Sequence, residues 1–558
     1  MNKILAIILW FMGSSVFAQI APDIYLVQFT DKDDSEYSID DPGRFLSQKA
    51  LSRRARYQIP VTETDLPVNK AYIDGIKELG PEIHSVSKWF NSVSIITKDR
   101  EILETIESLP YVRSVKHIRG LPSVPGLHDK LAILSVKSGS PGISLPDTSF
   151  YNYGQAGHQI GMLKGHIIHN QGYQGQGMTI AVLDGGFTGV DENPAFDSLW
   201  HNNQILGTWD FVRRSPVRYN AHSHGSQVLS IMAANIPGRF VGTAPKASYY
   251  LLRTENGAME YPVEEENWIS AAEFADSAGV DLINSSLKYT TYDDSTMSHS
   301  YEEMDGNTTR ITRAADIAAS RGILVVSAAG NEGETSWKYI GAPADADSIL
   351  TVGAVDAEGT YAYFSSLGPT ANGRLKPNIT AQGKGTFFAG TDGNIYQGNG
   401  TSFSSPVVCG LAACLWQSKL TVNPYELIQL LQESGSQAQD PDFYLGYGLT
   451  DFSKAFFIMQ GIDSQDIQSS DIINIYPNPF YGFLTVDYFA PEAKPLVIEI
   501  WDMSGRIVHR EEYDPGFNSF NRIRMTGMEK LNPGLYVTRI ISEESVCQIR
   551  IMKQRIRQ

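Results

Sequence analysis

From about Gly157 to Phe457 the sequence alternates short β-rich runs with helical stretches, and few folds accept that pattern. Thr179–Leu183, Ser248–Leu252, Val280–Asn284, Ile323–Ser327 and Leu350–Val352 read as strands. His224–Ala234, Glu265–Ala278 and Arg310–Arg321, lying between them, carry helical periodicity. Strands separated by helices predict a largely parallel sheet with helices on both faces. Ligands in such sheets gather beyond the carboxyl ends of the strands, so chemistry is expected just after these runs.

The flanks follow other rules. Upstream, Ile24–Phe29, Ser92–Thr97 and Val112–Lys116 read as strands, and Phe45–Arg56, Ala71–Leu79 and Glu101–Ser108 as helices, with Arg53, Arg54 and Arg56 on a solvated face. That is a small α+β unit. Leu121–Thr148, rich in Pro, Gly and Ser, reads as a linker or exposed loop. After Gly461, Ile473–Tyr476, Leu484–Tyr488, Val497–Trp501, Leu535–Ile541 and Cys547–Met552 alternate apolar and polar residues, the pattern of a small all-β sandwich.

The chain has 558 residues, long enough for two to four folded units, and a net charge of −17, which argues against a nucleic-acid surface. Met1-Asn2-Lys3, the apolar run Ile4–Phe17 and the exit Val16-Phe17-Ala18 predict a secretory signal cut after Ala18, with an uncleaved anchor as the alternative. No transmembrane span is expected in the mature protein. Only three cysteines are present. Cys409 and Cys414 on one helix, five steps of ~1.5 Å apart, are too distant for a disulfide and read as small buried hydrophobes.

Four polar residues stand where such a sheet places chemistry. Asp184 ends the strand in "MTIAVLDGGF", His224 opens the helix "HGSQVLSIMAAN", Ser402 sits in the "GTSFSSP" turn, and Asn331 follows the buried strand of "GILVVSAAGNEG". Pro406 is expected in a first helical turn. A hydroxyl needs a base to take its proton, and an imidazole base needs an acid to fix its tautomer. An amide aimed at the developing oxyanion, beside the Ser402 N–H at a helix start, completes an acyl-transfer set. Each residue also has a plain role as a cap or turn former. Ser365, Ser404 and Ser405 read as hydrogen-bonding turn residues, and His222 with His224 and Asp184 remains an alternative as a metal set.

These stretches, "AVLDGGF", "HGSQVLSIMA", "VVSAAGNEG" and "GTSFSSPVVCGLAA" in this order, resemble the subtilisin-like serine proteases, or subtilases, with support from "VDLINSSL", "FSSLGP", "KPNITAQG" and "GYGLTDFSKAF". The resemblance implies a mostly parallel subtilisin-like α/β fold and a serine endopeptidase working through an acyl-enzyme. It also implies roles: Ser402 as nucleophile, His224 as general base then acid, Asp184 as orienting acid and Asn331 as oxyanion donor. Substrate is expected along Ser286, Leu287, Lys288, Ala328, Ala329 and Gly330. Ser226-Gln227 and Ser404 depart from the family pattern without touching these roles. Lys288 stands where a Gly is usual and is expected to narrow the pocket or favour acidic substrates, and the polar loop Tyr289–Thr309 to crowd the cleft. No cofactor is expected for catalysis; structural calcium is common in the family, with no ligand set to name. "SKWFNSVSI" and "LPYVRSVKHI" are similar to an inhibitory propeptide. "INIYPNPFYGFLTVDY", "WDMSGRIV" and "LNPGLYVTRI" resemble a type IX secretion sorting domain of Bacteroidetes-type bacteria, a carbohydrate-binding or adhesive β module being the alternative. The expected layout is a signal peptide at 1–18, an α+β propeptide at 19–120, a linker at 121–156, a catalytic domain at 157–460 and a β-sandwich at 467–558. Expected partners are a peptide or protein substrate, the propeptide itself and the secretion machinery, at the cell surface or beyond it. A catalytically silent binding protein and a metal-dependent hydrolase are the competing classes.

Overall fold

The computed structural model describes residues 23–119, 130–131, 135–137, 151–461, 472–490, 494–514, 519–542 and 546–554. The expected signal segment and most of the linker lie outside these residues. The N-terminal unit is a sheet of β1 (Asp23–Phe29), β2 (Glu82–Ser87), β3 (Ser92–Thr97) and β4 (Val112–Arg119) in the order β2-β3-β1-β4. Its helices are α1 (Gln48–Arg56), α2 (Lys70–Glu78) and α3 (Arg100–Glu107). Strand β2 escaped the sequence reading because its face is only half buried, which blurs the alternation. Within the expected linker, β5 (Ser135–Lys137) is a strand rather than an exposed loop.

Arg53 and Arg54 are not solvated. Both are 2% exposed, and both bond the buried Asp276, at 2.7 and 2.9 Å; Arg54 also forks onto Asp65. A helical pattern marks charge as outward-facing, but these guanidiniums meet carboxylates supplied elsewhere in the fold, which makes their burial tolerable.

The central unit begins with α4 (Gly157–Gly161), α5 (Gly165–Asn170), β6 (Thr179–Asp184), α6 (Asp197–His201), β7 (Ile205–Asp210) and α7 (His224–Ala233). The hairpin β8 (Asn235–Ile236) and β9 (Phe240–Val241) leads to β10 (Ser248–Arg253), α8 (Val263–Ala278), β11 (Leu282–Ser285), α9 (Arg310–Ser320), β12 (Leu324–Ala328), β13 (Leu350–Val355) and β14 (Ile379–Gln382). Seven strands form one sheet, β14-β13-β12-β11-β6-β10-β7, parallel at every pairing. Side-chain alternation divides the core. Ile180 and Val182 pack on one face with Leu282 and Val326; Ala181 and Leu183 pack on the other with Trp268 and Ala315. Sheet order reverses at β6, where successive strands go first to one side and then to the other, and such a switch point opens a crevice at the carboxyl ends.

The chain continues through β15 (Thr386–Ala389) and β16 (Ile395–Gly398) to α10 (Thr401–Gln417), then α11 (Pro424–Glu433) and α12 (Phe452–Met459). Strand β5 joins β16 as an added antiparallel strand. Helix α10 is buried from Thr401 through Trp416, as expected for a helix apolar all round. The C-terminal strands are β17 (Ile472–Tyr476), β18 (Leu484–Ala490), β19 (Leu496–Asp502), β20 (Ile507–Tyr513), β21 (Ser519–Met525), β22 (Gly534–Ile541) and β23 (Val546–Lys553). They form sheets of three and four around Val486, Ile498, Ile500 and Ile551. Strand β20 shows no run of buried positions, and so no sequence signal.

Candidate active site

The crevice receives the ends of β6, β10, β11 and β12 and the starts of α7 and α10. Asp184 is the last residue of β6 and His224 the first of α7. His224 Nδ1 donates to Asp184 Oδ1 at 2.7 Å, and the same oxygen accepts the Gly185 N–H at 2.7 Å. With its proton on Nδ1, the ring keeps Nε2 as the basic nitrogen. Two glycines allow this approach: a Cβ on Gly225 would stand 2.5 Å from Gly186 O and 2.9 Å from Asp184 Cβ, and one on Gly186 would stand 2.5 Å from His222 N. His222 Nδ1 accepts the His224 backbone N–H at 3.0 Å, and among the described residues His222, His224 and Asp184 do not converge as a metal-binding group.

Ser402 is the second residue of α10, so it is helical rather than part of a turn. Its Oγ donates to Ser286 O at 3.3 Å, and Ser286 Oγ donates back to Ser402 O at 3.1 Å. Pro406 explains the second bond. It lies past the first turn of α10, where an ordinary residue would donate its N–H to the Ser402 carbonyl; proline cannot, and the freed carbonyl takes Ser286 instead. Asn331 Oδ1 accepts from Thr401 N at 2.9 Å and Thr401 Oγ1 at 3.0 Å, which commits the carbonyl end of the amide and leaves its NH2 as the donor. Ser404 and Ser405 lie inside α10 and bond Thr401 O and Asn284 Oδ1; the Ser365 hydroxyl accepts the Ala354 N–H. Cys409 and Cys414 are free thiols, and burial pushes Cys409 beyond the range in which a thiolate forms.

His224, Asn331 and Ser402 line one cavity of about 420 Å³, together with Ser286, Leu287, Lys288, Ala328 and Gly330. Ala329 does not reach it: its side chain is buried with Ile340 and Ala344 behind the wall. The Lys288 ammonium is paired with the Glu332 carboxylate, so this wall presents an ion pair rather than a lone positive charge. Thr290, Thr291, Tyr292 and Asp293 of the polar loop also line the cavity.

The sequence reading missed the opposite wall. Lys130 reaches Glu255, Glu260 and Glu264, each at 2.7 Å, and its backbone N–H donates to Gly257 O at 3.2 Å. Leu131 lies on Gly185, where a Cβ would meet Leu131 Cδ1 at 2.2 Å. The available signal was the acidic stretch "ENGAMEYPVEEEN" directly after a strand. Among the described residues these three glutamates are the group whose oxygens converge enough for a metal ion, within 4.8 Å of one another. An ammonium already fills that space, so the group does not fit a resident calcium in this form.

Comparison with known proteins assigns three stretches of the chain to families. Residues 175–448 match the Subtilase family, 24–129 the Peptidase S8 propeptide domain of Bacteroidota, and 474–554 a secretion system C-terminal sorting domain. Subtilisin NAT of Bacillus subtilis subsp. natto is 31% identical over 302 residues, spanning 53% of this chain and 70% of that protein. Subtilisin DY of Bacillus licheniformis is 29% identical over 301 residues, spanning 53% of this chain and 97% of that protein. The chain belongs to the subtilase family and is a serine-type endopeptidase. It carries its own propeptide domain and a type IX sorting domain, and is a secreted or cell-surface protein of a Bacteroidetes-type bacterium.

Proposed function

We propose that the protein cleaves peptide bonds through Ser402, His224 and Asp184, with Asn331 stabilising the oxyanion. His224 Nε2 takes the Ser402 proton as Oγ attacks the scissile carbonyl, and Asp184 steadies the imidazolium through Nδ1. The tetrahedral oxygen receives the Asn331 NH2 and the Ser402 N–H at the start of α10, where the helix dipole favours negative charge. His224 returns the proton to the leaving amine, and an acyl-enzyme remains for water to hydrolyse with His224 again as base. Before attack, the Ser402 hydroxyl exchanges its bond to Ser286 O for one to His224; such bonds often tighten only when substrate is present.

One observation carries this reading: a histidine with its tautomer set by a buried aspartate shares a cavity with a serine at a helix start and an amide donor. Substrate lies as an extended strand along Ser286–Lys288 and Ala328–Gly330, using main-chain bonds for affinity. The N-terminal unit acts as intramolecular inhibitor, supported by Lys130 and Leu131 of the segment that follows it, which line the cleft; the C-terminal domain serves export by the type IX machinery.

Kinetics on a peptide substrate tests it. Ser402→Ala is expected to lower turnover by several orders of magnitude in a folded protein, because triad members act as one unit. Asn331→Ala is expected to cost about 10²–10³ in kcat with KM little changed. Undiminished turnover in the first variant, or a loss confined to KM in the second, removes that residue from its role.

A further inference from the structure

The wall around Lys130 is unlike the rest of the cleft. Glu255 follows β10, Glu260 sits in the next loop and Glu264 is in the first turn of α8, and their carboxylates converge on one ammonium. Glu255 and Glu264 are buried, 1% and 3% exposed. Three carboxylates against one ammonium leave an excess of negative charge in a region of low dielectric, which repels itself unless a cation or protons occupy it. Burial and the neighbouring carboxylates push Glu264 well above the usual carboxylate range, and burial and Glu255 raise Glu260 to about 7 even with Lys130 present. The Tyr289 hydroxyl bonds Glu255, and Glu264 stands behind, its Oε1 accepting the Asn256 N–H at 2.7 Å and its Oε2 the Tyr261 N–H at 3.3 Å; Glu255 and Glu260 line the cavity that also holds His224 and Ser402. Lys130 arrives there as part of a peptide, its main-chain N–H bonded to Gly257 O as a bound strand's would be.

We propose that Glu255, Glu260 and Glu264 form a cation-selecting subsite, and that the mature enzyme favours peptides with Lys or Arg at the position Lys130 occupies. When the N-terminal segment leaves, these carboxylates remain on the catalytic domain with no partner of opposite charge in the cluster. A basic substrate side chain restores the pairing, while a Met or Glu side chain leaves it unmade. Lys288 acts on Glu260 only as a weaker influence than Lys130, being paired with Glu332 and making no ion pair with the cluster. The specificity expected is for basic peptides, opposite to the acidic preference that Lys288 alone suggests. This inference rests on the catalytic reading above.

The test is a peptide series, differing in Lys, Arg, Met or Glu at each position before the scissile bond, hydrolysed by the matured protein that has lost its N-terminal segments. A Lys-to-Met ratio in kcat/KM of about tenfold or more at one position is expected, falling toward one in Glu264→Gln and in Glu260→Gln. No basic preference at any position, or a preference untouched by both variants, overturns the subsite. A wild type inert toward every peptide counts against the catalytic roles instead. The subsite is then read by calorimetry with the Ser402→Ala protein from which the N-terminal segments have been removed by an added protease. Tighter binding of Lys than Met peptides supports it; equal affinities, or uptake of calcium alone without such discrimination, overturn it.

Discussion

Two buried clusters tie the N-terminal segments to the catalytic domain, and they are mirror images in charge. At the first, Asp276 of α8 is met by Arg53, Arg54 and Lys88. At the second, Lys130 is met by Glu255, Glu260 and Glu264. In both, cations of the N-terminal segments meet carboxylates of the catalytic domain; at the first, Asp65 of the N-terminal unit also bonds Arg54 and reaches Arg321 of the catalytic domain. Departure of those segments therefore leaves Asp276 and Glu273 at the first site, which water can hydrate, and three converging carboxylates at the second. The first cluster is suited to holding a partner once; the second is suited to taking another cation in its place.

The comparison can be broken by substitution, most readily in the Ser402→Ala precursor, which on the proposed mechanism cannot cut itself. Asp276→Ala should weaken that precursor most, by about 3–5 kcal/mol, because three buried cations lose their shared partner. A loss under about 1 kcal/mol in denaturant unfolding would mean the first cluster holds nothing. Lys130→Ala should cost less, about 1–3 kcal/mol, since the abandoned carboxylates can take up protons. Glu264→Gln should change stability by about 1 kcal/mol or less, two carboxylates still holding the ammonium. A larger penalty from Glu264→Gln than from Asp276→Ala would reverse the contrast.

Acid and base should separate the clusters too. Burial raises the Asp276 pKa, but Lys88, Arg54 and Arg53 outweigh it and hold the group below its ordinary 3.8. Its contribution is therefore complete above that value and is lost as pH falls through the lower folded one. Glu260 runs the other way, raised by burial from 4.5 to about 7. The folded chain then holds a proton the unfolded chain has released, and stability declines as pH rises across that window. Thermal unfolding of the precursor should show Asp276→Asn flattening the acid limb below pH 3.8 and Glu260→Gln flattening the decline between 4.5 and 7. Identical pH profiles for the two variants would erase the distinction.

What could be read from the sequence follows from where each interaction partner lies. Asp184, His224, Asn331 and Ser402 were legible because strand ends and helix starts are local patterns, and a parallel sheet brings such points to one edge. Arg53 and Arg54 were misplaced because helical periodicity says nothing of Asp276, more than two hundred residues away. Lys130 was hidden in a stretch without period, and its role exists only through three glutamates of another domain. Ala329 illustrates a smaller limit. Successive residues at a strand end face opposite ways, and a resemblance names the stretch without saying which side chains reach the cavity.

Labelling the matured protein with a serine-reactive fluorophosphonate, followed by peptide mapping, addresses the chemistry at its centre. One adduct, on Ser402, that disappears when His224 is replaced by Ala is the expected result. An adduct on a different serine, or efficient peptide hydrolysis by a protein that takes no label at all, would contradict it.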